Sequence, residues 1–339
     1  MRAYQGWRGW AVVAGGALAI VVGGAGGALA DDGGFTIKDP RIKESSGLAA
    51  SRLHPGVYWT HNDSDDGPYI YAVDSRTGET VATVTMKGVG APRDVEAISI
   101  GPDGDIYVGD IGDNLDGTWS HVWIYRFPEP KQLKDETVRA TQYVVKYADG
   151  PRNAEALMVQ PKTGRVYIAS KNEDGGGLYV GPKQLSAKGV NVFRRIQDDL
   201  PWVTDGAFSP DGSRLALRGY FSAAEYAWEP SAHGGDGGLG ERHSVSAPFQ
   251  GQAESMTYTA DGSALMFGSE GAESDVVRVG VDRPKGSSDG TKSPTKDGSS
   301  SADGGGNGGK GNSATVLGVG VLVAALLGFL GLRRMFRRG

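Results

Sequence analysis

Five oxygen-bearing side chains recur along this chain at a spacing near fifty residues, each at the start of a short apolar run. Successive members are separated by 50, 59, 50 and 49 residues, and the set is Ser46, Glu96, Glu155, Asp205 and Glu254. Four of the five are carboxylates. Carboxylates that a fold brings together repel one another, so some must protonate unless a cation lies among them. The residue types and their spacing therefore predict a metal centre, provided that the fold gathers them.

Calcium is the metal that best suits this donor set. It accepts six to eight oxygen ligands at about 2.3–2.6 Å and tolerates irregular geometry. Magnesium requires a stricter octahedron, and zinc favours His or Cys. We therefore expect one Ca²⁺ held by the five residues, with water completing its coordination. The alternative is that these side chains only accept hydrogen bonds from backbone amides of a neighbouring structural unit.

The elements that would position these residues are short strands. A period near fifty residues, in a segment rich in Val, Ile and Tyr without helical periodicity, is typical of propeller blades. Turns such as Gly101-Pro102-Asp103-Gly104 and Ser209-Pro210-Asp211-Gly212 divide the repeats into hairpins, in which glycine supplies the positive φ. The sequence predicts an all-β fold, a five-bladed β-propeller over residues 31–283 with four antiparallel strands per blade.

The fifth repeat is one strand short when the chain reaches residue 284. The segment from Phe35 to Lys38 precedes the first repeat and can supply the missing strand. Closing the ring in this way removes the open edges that invite aggregation. In a propeller the first strand of each blade lines the axis, so we expect the five residues to converge at one mouth of the central channel.

A second group of polar residues follows the second strand of each blade, on the same predicted face. Above a cation such residues would bind a polar or phosphorylated ligand, with the two basic side chains facing its anionic part. The group is His61, Asn62, Asp63, Asp110, Asp113, Asn114, Lys171, Arg218 and Glu270. The alternative is that they are solvated loop residues. Trp202 and Tyr220 flank this face and either stack on a ligand or pack between blades.

His61 is the candidate catalytic residue if the protein is an enzyme. A histidine at this place would act as a general base on a calcium-bound water. The sequence offers it no evident nucleophilic Ser or Cys partner. Asn62 and Asp63 beside it are equally suited to capping a turn.

The ordered motifs SSGL, DVEAI, NAEAL, TDGAF and QAESM over residues 35–283 resemble the SdiA-regulated family of exported five-bladed propellers. More distantly they are similar to the calcium-activated nucleotidases, or apyrases. The resemblance implies a calcium ion on the propeller axis, held by residues in this register. The chain departs from the pattern at the fourth motif, where those families often have serine and this chain has Asp205.

Both ends of the chain predict export and membrane attachment. Residues 1–30 carry two arginines, an apolar run and the sequence Ala28-Leu29-Ala30, which is typical of a cleaved signal peptide; an uncleaved N-terminal anchor is the alternative. Residues 284–313 are Gly/Ser-rich and predict a disordered tether. Residues 314–332 contain no charge and are long enough for one transmembrane helix, and the four arginines in 333–339 predict a cytoplasmic tail.

Charge and cysteine content narrow the classes of partner. The net charge is −5, and the two end segments hold six arginines and no acidic residue, which leaves −11 for the rest. Such a charge disfavours nucleic acid as a partner. The chain has no cysteine, so an exported domain must be stabilised by its core and by metal rather than by disulfides.

Two functions are consistent with these features. The first is a single-pass cell-membrane protein whose extracellular, monomeric, calcium-containing propeller binds a polar ligand or a protein partner. The alternative is a calcium-dependent phosphohydrolase of nucleotidase or phytase-like type, in which the cation orients water or phosphate. The second requires Lys171, Arg218 and His61 to point at the metal. One clear carboxylate cluster, rather than several, favours the binding module.

Overall fold

The computed structural model describes residues 33–64, 66–114, 117–172 and 175–281. The predicted signal peptide, tether, transmembrane helix and cytoplasmic tail lie outside the described residues. Within the described ranges, no helix has the length and apolar character needed to cross a membrane.

The described residues confirm an all-β fold with one short helical turn, α1 (Ala232–Gly235). In chain order the strands are β1 (Phe35–Thr36), β2 (Ser45–Ala50), β3 (Val57–Asn62), β4 (Tyr69–Asp74), β5 (Thr80–Lys87), β6 (Val95–Ile100), β7 (Asp105–Asp110), β8 (Val122–Pro128), β9 (Glu136–Arg139), β10 (Thr141–Tyr147), β11 (Ala154–Val159), β12 (Val166–Ser170), β13 (Gly176–Val180), β14 (Val190–Leu200), β15 (Val203–Phe208), β16 (Arg214–Gly219), β17 (Ala223–Trp228), β18 (Leu239–Val245), β19 (Ala253–Tyr258), β20 (Ala264–Ser269) and β21 (Asp275–Gly280).

These strands form five antiparallel meanders, in which most strands pair with the next along the chain. The first meander is β2-β3-β4-β5, the second β6-β7-β8-β10, the third β11-β12-β13-β14, the fourth β15-β16-β17-β18 and the fifth β19-β20-β21-β1. The first strands contact one another in a cycle, β2 with β6, β6 with β11, β11 with β15, β15 with β19, and β19 with β2. Meanders arranged with their first strands around a shared axis form a β-propeller.

The N-terminal strand closes the cycle, as the sequence predicts. Phe35 pairs with Val276 and Thr36 with Asp275, so β1 is the fourth strand of the fifth meander. The backbone N–H of Ile37 extends this contact by donating to the carbonyl of Ser274 at 2.9 Å. The pairing is shorter than the four residues expected, because beyond Ile37 the chain bonds to the first meander through Lys38 and Gly78.

The outer strands differ from the prediction of purely antiparallel blades. The segment between β8 and β10 contains β9, which pairs in parallel with β5 on the outer edge of the first meander. The outer strands β10 and β14 also pair in parallel, which joins the second and third meanders into one eight-stranded sheet. Both pairings cover edges that would otherwise present unpaired backbone groups.

The hydrophobic core consists of layers between neighbouring meanders. Trp59 and Ile70 of the first meander, for example, belong to the same buried cluster as Val108 and Tyr125 of the second. The layer between the fifth and first meanders includes Phe35, whose ring centroid lies 5.5 Å from that of Tyr58. The inner strands of the meanders therefore bury residues of both faces against different neighbours, whereas outer strands such as β18 expose side chains.

Phe35→Ala should reduce the free energy of unfolding by about 3–5 kcal/mol, because it leaves a cavity in the layer that closes the ring. Phe249 is a matched control, since its side chain is 72% exposed, and Phe249→Ala should change stability by less than about 0.5 kcal/mol. Denaturant unfolding of the full-length variants measures both. Equal losses for the two variants would contradict a closure that depends on Phe35.

Candidate metal centre

Each meander opens with a β-bulge in its first strand. In the first, second, third and fifth meanders the pairing with the next strand skips one residue, and these residues are Ser46, Glu96, Glu155 and Glu254. A bulge leaves the extra residue outside the ladder and redirects its side chain. Four of the five predicted metal residues therefore share one local geometry, and all four are buried.

In the fourth meander the skipped residue is Thr204 rather than Asp205. Asp205 lies in regular register opposite Arg218, and a shift of one residue along a strand directs the side chain to the opposite face. Its carboxylate accepts hydrogen bonds from the N–H groups of Gly206 and Met256, both at 2.7 Å. Met256 belongs to the fifth meander. Asp205 is therefore not placed as the metal ligand that we predicted. It has the role given as the alternative, because it accepts hydrogen bonds from backbone amides, one of them in a neighbouring meander.

Among the described residues, Asp63, Asp94 and Glu96 form one group of neighbouring acidic side chains. One ligand oxygen from each lies within 4.8 Å of the others, and all three residues are buried. The hydroxyl of Ser46 donates to Glu96 Oε2 at 2.9 Å. The set combines two residues of the predicted ring with Asp63, which we predicted as a ligand contact, and with Asp94, which we did not predict.

The only sequence signal for Asp94 is its place in the motif DVEAI, two residues before Glu96. Its carboxylate accepts a hydrogen bond from Asn114 Nδ2 at 3.1 Å, and its backbone N–H donates to Asp110 at 3.1 Å. Asp110 therefore positions the residue that enters the cluster.

In the third meander the positive charge of Lys171 lies beside Glu155, and it also interacts with Glu254. Lys171 Nζ is 3.1 Å from Glu155 Oε1, and the side chains of these two residues are only 13% and 2% exposed. The same ammonium group donates to the hydroxyl of Tyr220 at 2.8 Å, and Tyr220 in turn hydrogen-bonds to Glu254. A lysine thus occupies the place next to Glu155 and Glu254 where we expected a metal.

Asn153 connects the group of Asp63, Asp94 and Glu96 with Glu155 through hydrogen bonds. Its Nδ2 group lies 3.2 Å from Asn114 Oδ1 and 3.3 Å from Glu155 Oε1. Its Oδ1 accepts the N–H of Asp113 at 2.9 Å. Hydrogen bonds therefore run from Asp94 through the two asparagines to Glu155.

Burial and mutual repulsion dominate the electrostatics. Burial raises the pKa of Glu96 well above its usual range, and the charges of Glu155, Asp63 and Asp94 raise it further. Burial also raises the pKa of Glu254 to about 7, although Lys171 opposes this shift. For Lys171, burial alone would lower the pKa, but Glu155 and Glu254 raise it well above the ordinary value. The lysine is therefore charged at neutral pH, and one positive charge faces several carboxylates.

Two residues of the predicted ligand group lie away from the channel mouth. His61 is only 1% exposed, and its Nε2 atom would lie 2.6 Å from a Cβ atom at position 47, which explains the glycine there. Burial lowers the pKa of His61 to about 4, so the imidazole is neutral at pH 7. Arg218 is fully buried, and its Nη1 atom donates to the carbonyls of Ser255 and Gly268, both at 2.6 Å. It links the fourth meander to the fifth.

Four other members of that group, Asn62, Asp110, Asp113 and Glu270, accept hydrogen bonds from neighbouring segments. Asn62 accepts hydrogen bonds from the N–H groups of Lys43 and Glu44, just as Asp110 does from those of Arg93 and Asp94. Asp113 accepts the N–H of Trp119. Glu270 accepts a hydrogen bond from Gln252 at 2.8 Å. Of the nine predicted ligand contacts, the axial network contains Asp63, Asn114 and Lys171, with Asp113 joined to it through its backbone.

Comparison with known proteins gives structural neighbours only. No family model matches the chain, and no curated protein matches it. Solved structures that are similar include hydrazine synthase of Kuenenia stuttgartiensis, with 12% identity and a TM-score of 0.37 over 66% of this chain and 61% of that one. An auxiliary nutrient-binding protein from Bacteroides thetaiotaomicron has 11% identity and a TM-score of 0.40 over 70% of this chain and 57% of that one.

The WD40 repeats of RRP9 have 10% identity and a TM-score of 0.38 over 69% of this chain and 80% of that one. The chain spans about three fifths of the length of the first two proteins. Similarity at this level identifies neither a ligand nor a partner for the present chain.

The raised pKa of Glu254 predicts that, without divalent cations, this residue contributes a fall in stability as pH rises from about 4.5 to 7, whereas His61, whose pKa is lowered to about 4, contributes a rise up to about pH 6.5. A carboxyl group whose pKa is higher in the folded state stabilises the fold while protonated, and this contribution is lost as pH passes its folded pKa. For Glu254 the loss is about 3 kcal/mol, given a folded pKa of about 7. Lys171 adds no slope in this interval, because its pKa lies above it.

Glu254→Gln removes this titrating group, so the unfolding free energy measured in chelator should fall less, or rise more, between pH 5 and 7 in the variant than in the wild type. The control is Glu241→Gln, whose side chain is 78% exposed and which should leave the slope unchanged. An unfolding free energy with the same pH dependence between pH 5 and 7 in Glu254→Gln and in the wild type would contradict the assignment.

Proposed function

We propose that this chain is an extracellular, calcium-containing β-propeller that binds a ligand or partner at the mouth of its axis. The observation that carries the proposal is the buried group of Asp63, Asp94 and Glu96, whose oxygens lie within 4.8 Å of one another. The cyclic contact of the five first strands supports a five-bladed propeller, with each meander as one blade.

The donor set fits calcium. Three carboxylates supply hard anionic oxygens, and the hydroxyl of Ser46 lies at hydrogen-bond distance from one of them. His61 precedes Asp63 by two residues and could supply a nitrogen ligand, but its ring packs against Gly47. A bound calcium would balance charge that Lys171 alone cannot. Asp63, Asp94 and Glu96 would hold the ion, and the burial of the site would limit access of bulk water.

Aromatic residues beside Lys171 support a binding role for the mouth. The rings of Trp202 and Tyr220 meet edge to face at a centroid distance of 5.2 Å, and Phe221 follows with its side chain 55% exposed. Aromatic surface next to buried polar groups is typical of sites that bind small ligands or protein partners.

The geometry favours binding over phosphate hydrolysis. The hydrolase alternative requires His61, Lys171 and Arg218 to face a common point near the metal. His61 and Arg218 are enclosed between meanders, and Lys171 is paired with Glu155. The described residues therefore lack the basic cluster that would hold a transferring phosphate.

The location rests on the ends of the chain. We propose that the propeller is monomeric and is exported by residues 1–30, and that residues 314–332 anchor it in the cell membrane with residues 284–313 as a tether. The charge of −11 outside the end segments is consistent with an extracellular domain that does not bind nucleic acid.

Removal of calcium should destabilise the protein. We expect chelator to lower the melting temperature of the full-length protein and added calcium to restore it, because an ion that binds only the folded state stabilises it. Asp94→Asn combined with Glu96→Gln should abolish the response, whereas Glu241→Gln should retain it. A melting temperature that is the same with chelator and with calcium would remove the ion from the proposed function.

Incubation with ATP, ADP or phytate in the presence of calcium should release no phosphate above a blank without protein. His61→Ala provides the critical comparison if release is detected. Calcium-dependent release that disappears in this variant would instead support the hydrolase.

A further inference from the structure

The axis contains two groups of buried carboxylates, and the structure treats them differently. Asp63, Asp94 and Glu96 form the first group, whose oxygens lie within 4.8 Å of one another, and the hydroxyl of Ser46 donates to Glu96. Glu155 and Glu254 form the second group, and Lys171 lies beside it. Glu96, Glu155 and Glu254 occupy the same bulged position of the repeat, whereas the residue that follows the second strand is Asp63 in the first meander and Lys171 in the third.

The surroundings of Lys171 are those of a bound cation. Its Nζ atom lies 3.1 Å from Glu155 Oε1, 2.8 Å from the hydroxyl of Tyr220 and 5.0 Å from the centre of the Tyr220 ring. An ammonium group between a carboxylate and a phenol oxygen is stabilised by an ion pair and by a charge-assisted hydrogen bond. Lysine carries this charge as a compact point at the end of a long stem, so it can fill a site built for a small cation.

A second observation indicates that this place has unused coordination capacity. Glu254 is 6% exposed, and its Oε2 atom has no hydrogen-bond partner among the described residues. A buried carboxylate oxygen without a partner is costly. Glu254 and Glu155 both interact electrostatically with Lys171, so the free oxygen belongs to the same group.

We infer that the axis has two cation positions and that the chain itself fills one of them, with Lys171 as a tethered counter-ion between Glu155 and Glu254. The inference rests on the proposed function for the first position, at Asp63, Asp94 and Glu96. It goes beyond that function by limiting the protein to one divalent ion. Without the ammonium group, Glu155, Glu254 and the Tyr220 hydroxyl provide oxygen donors for a second ion.

The test is the number of calcium ions bound per chain in Lys171→Met, measured by isothermal titration calorimetry and by equilibrium dialysis on the full-length protein. Met keeps the unbranched shape and removes the charge. We expect one ion for the wild type and two for Lys171→Met. Adding Glu254→Gln to Lys171→Met should return the number to one. The matched control is Lys183→Met, an exposed lysine, which should bind as the wild type does.

The two proposals fail in different ways. If the wild type binds no ion and Lys171→Met binds one, the tethered counter-ion stands and the site at Asp63, Asp94 and Glu96 is wrong. If the wild type binds one ion and Lys171→Met also binds one with unchanged affinity, the tethered counter-ion is wrong. If neither protein binds calcium, both are wrong.

Loss of Lys171 leaves two buried carboxylates without a counter-charge, so the variant can fail to fold in chelator. The inference then predicts rescue: Lys171→Met should fold in millimolar calcium, and its melting temperature should respond to calcium more steeply than that of the wild type. A variant that does not fold even in millimolar calcium would overturn the inference.

Discussion

Negative charge buried on the axis is the constraint on which the rest of this structure depends. Strand bulges in four meanders direct Ser46, Glu96, Glu155 and Glu254 inward, and Asp63 and Asp94 add two more carboxylates near Glu96. Ionised groups removed from water are stable only when opposite charge or hydrogen bonds compensate them. Lys171 forms an ion pair with Glu155, and the burial of Glu96 together with the charges of Asp63 and Asp94 favours either protonation or a cation beside them. The proposed calcium site follows from that imbalance.

The repeat predicted much of the fold because its turns and apolar residues determine where the backbone forms strands and hairpins. Gly-marked turns and alternating apolar residues define hairpins locally, and a missing strand at one end with a spare strand at the other predicts closure, which β1 confirms. The pairings of β9 with β5 and of β10 with β14 were not predicted. They are parallel contacts between distant segments, and neither a turn nor a periodicity marks such contacts in a sequence.

The site was harder to predict because it depends on single-residue register. Asp205 and Thr204 are adjacent oxygen-bearing residues, and the chain offered no local means of choosing between them; the bulge selects Thr204. His61 and Arg218 illustrate the same limit. Both end a second strand as expected, but each lies in regular register opposite Gly47 or Asp205, so their side chains fill the space between meanders. Asp94 meets Asp63 of another meander, and Lys171 pairs with Glu155 of the adjacent strand; the spacing of the repeat alone reveals neither contact.

Because of the parallel pairings, neighbouring meanders are linked more strongly in one part of the ring than in the other. Backbone hydrogen bonds through β9 and through β10 and β14 make the first three meanders a continuous unit, whereas Arg218 and side-chain packing link the fourth to the fifth, and two residue pairs of β1 complete the circle. Cooperative opening follows the weakest seams. Local opening should therefore occur first at the fourth and fifth meanders. Tyr220 belongs to the fourth meander and Glu254 to the fifth, so both lie in the part that opens. Solvent and ions would reach the axis from that part, while the opposite part stays closed.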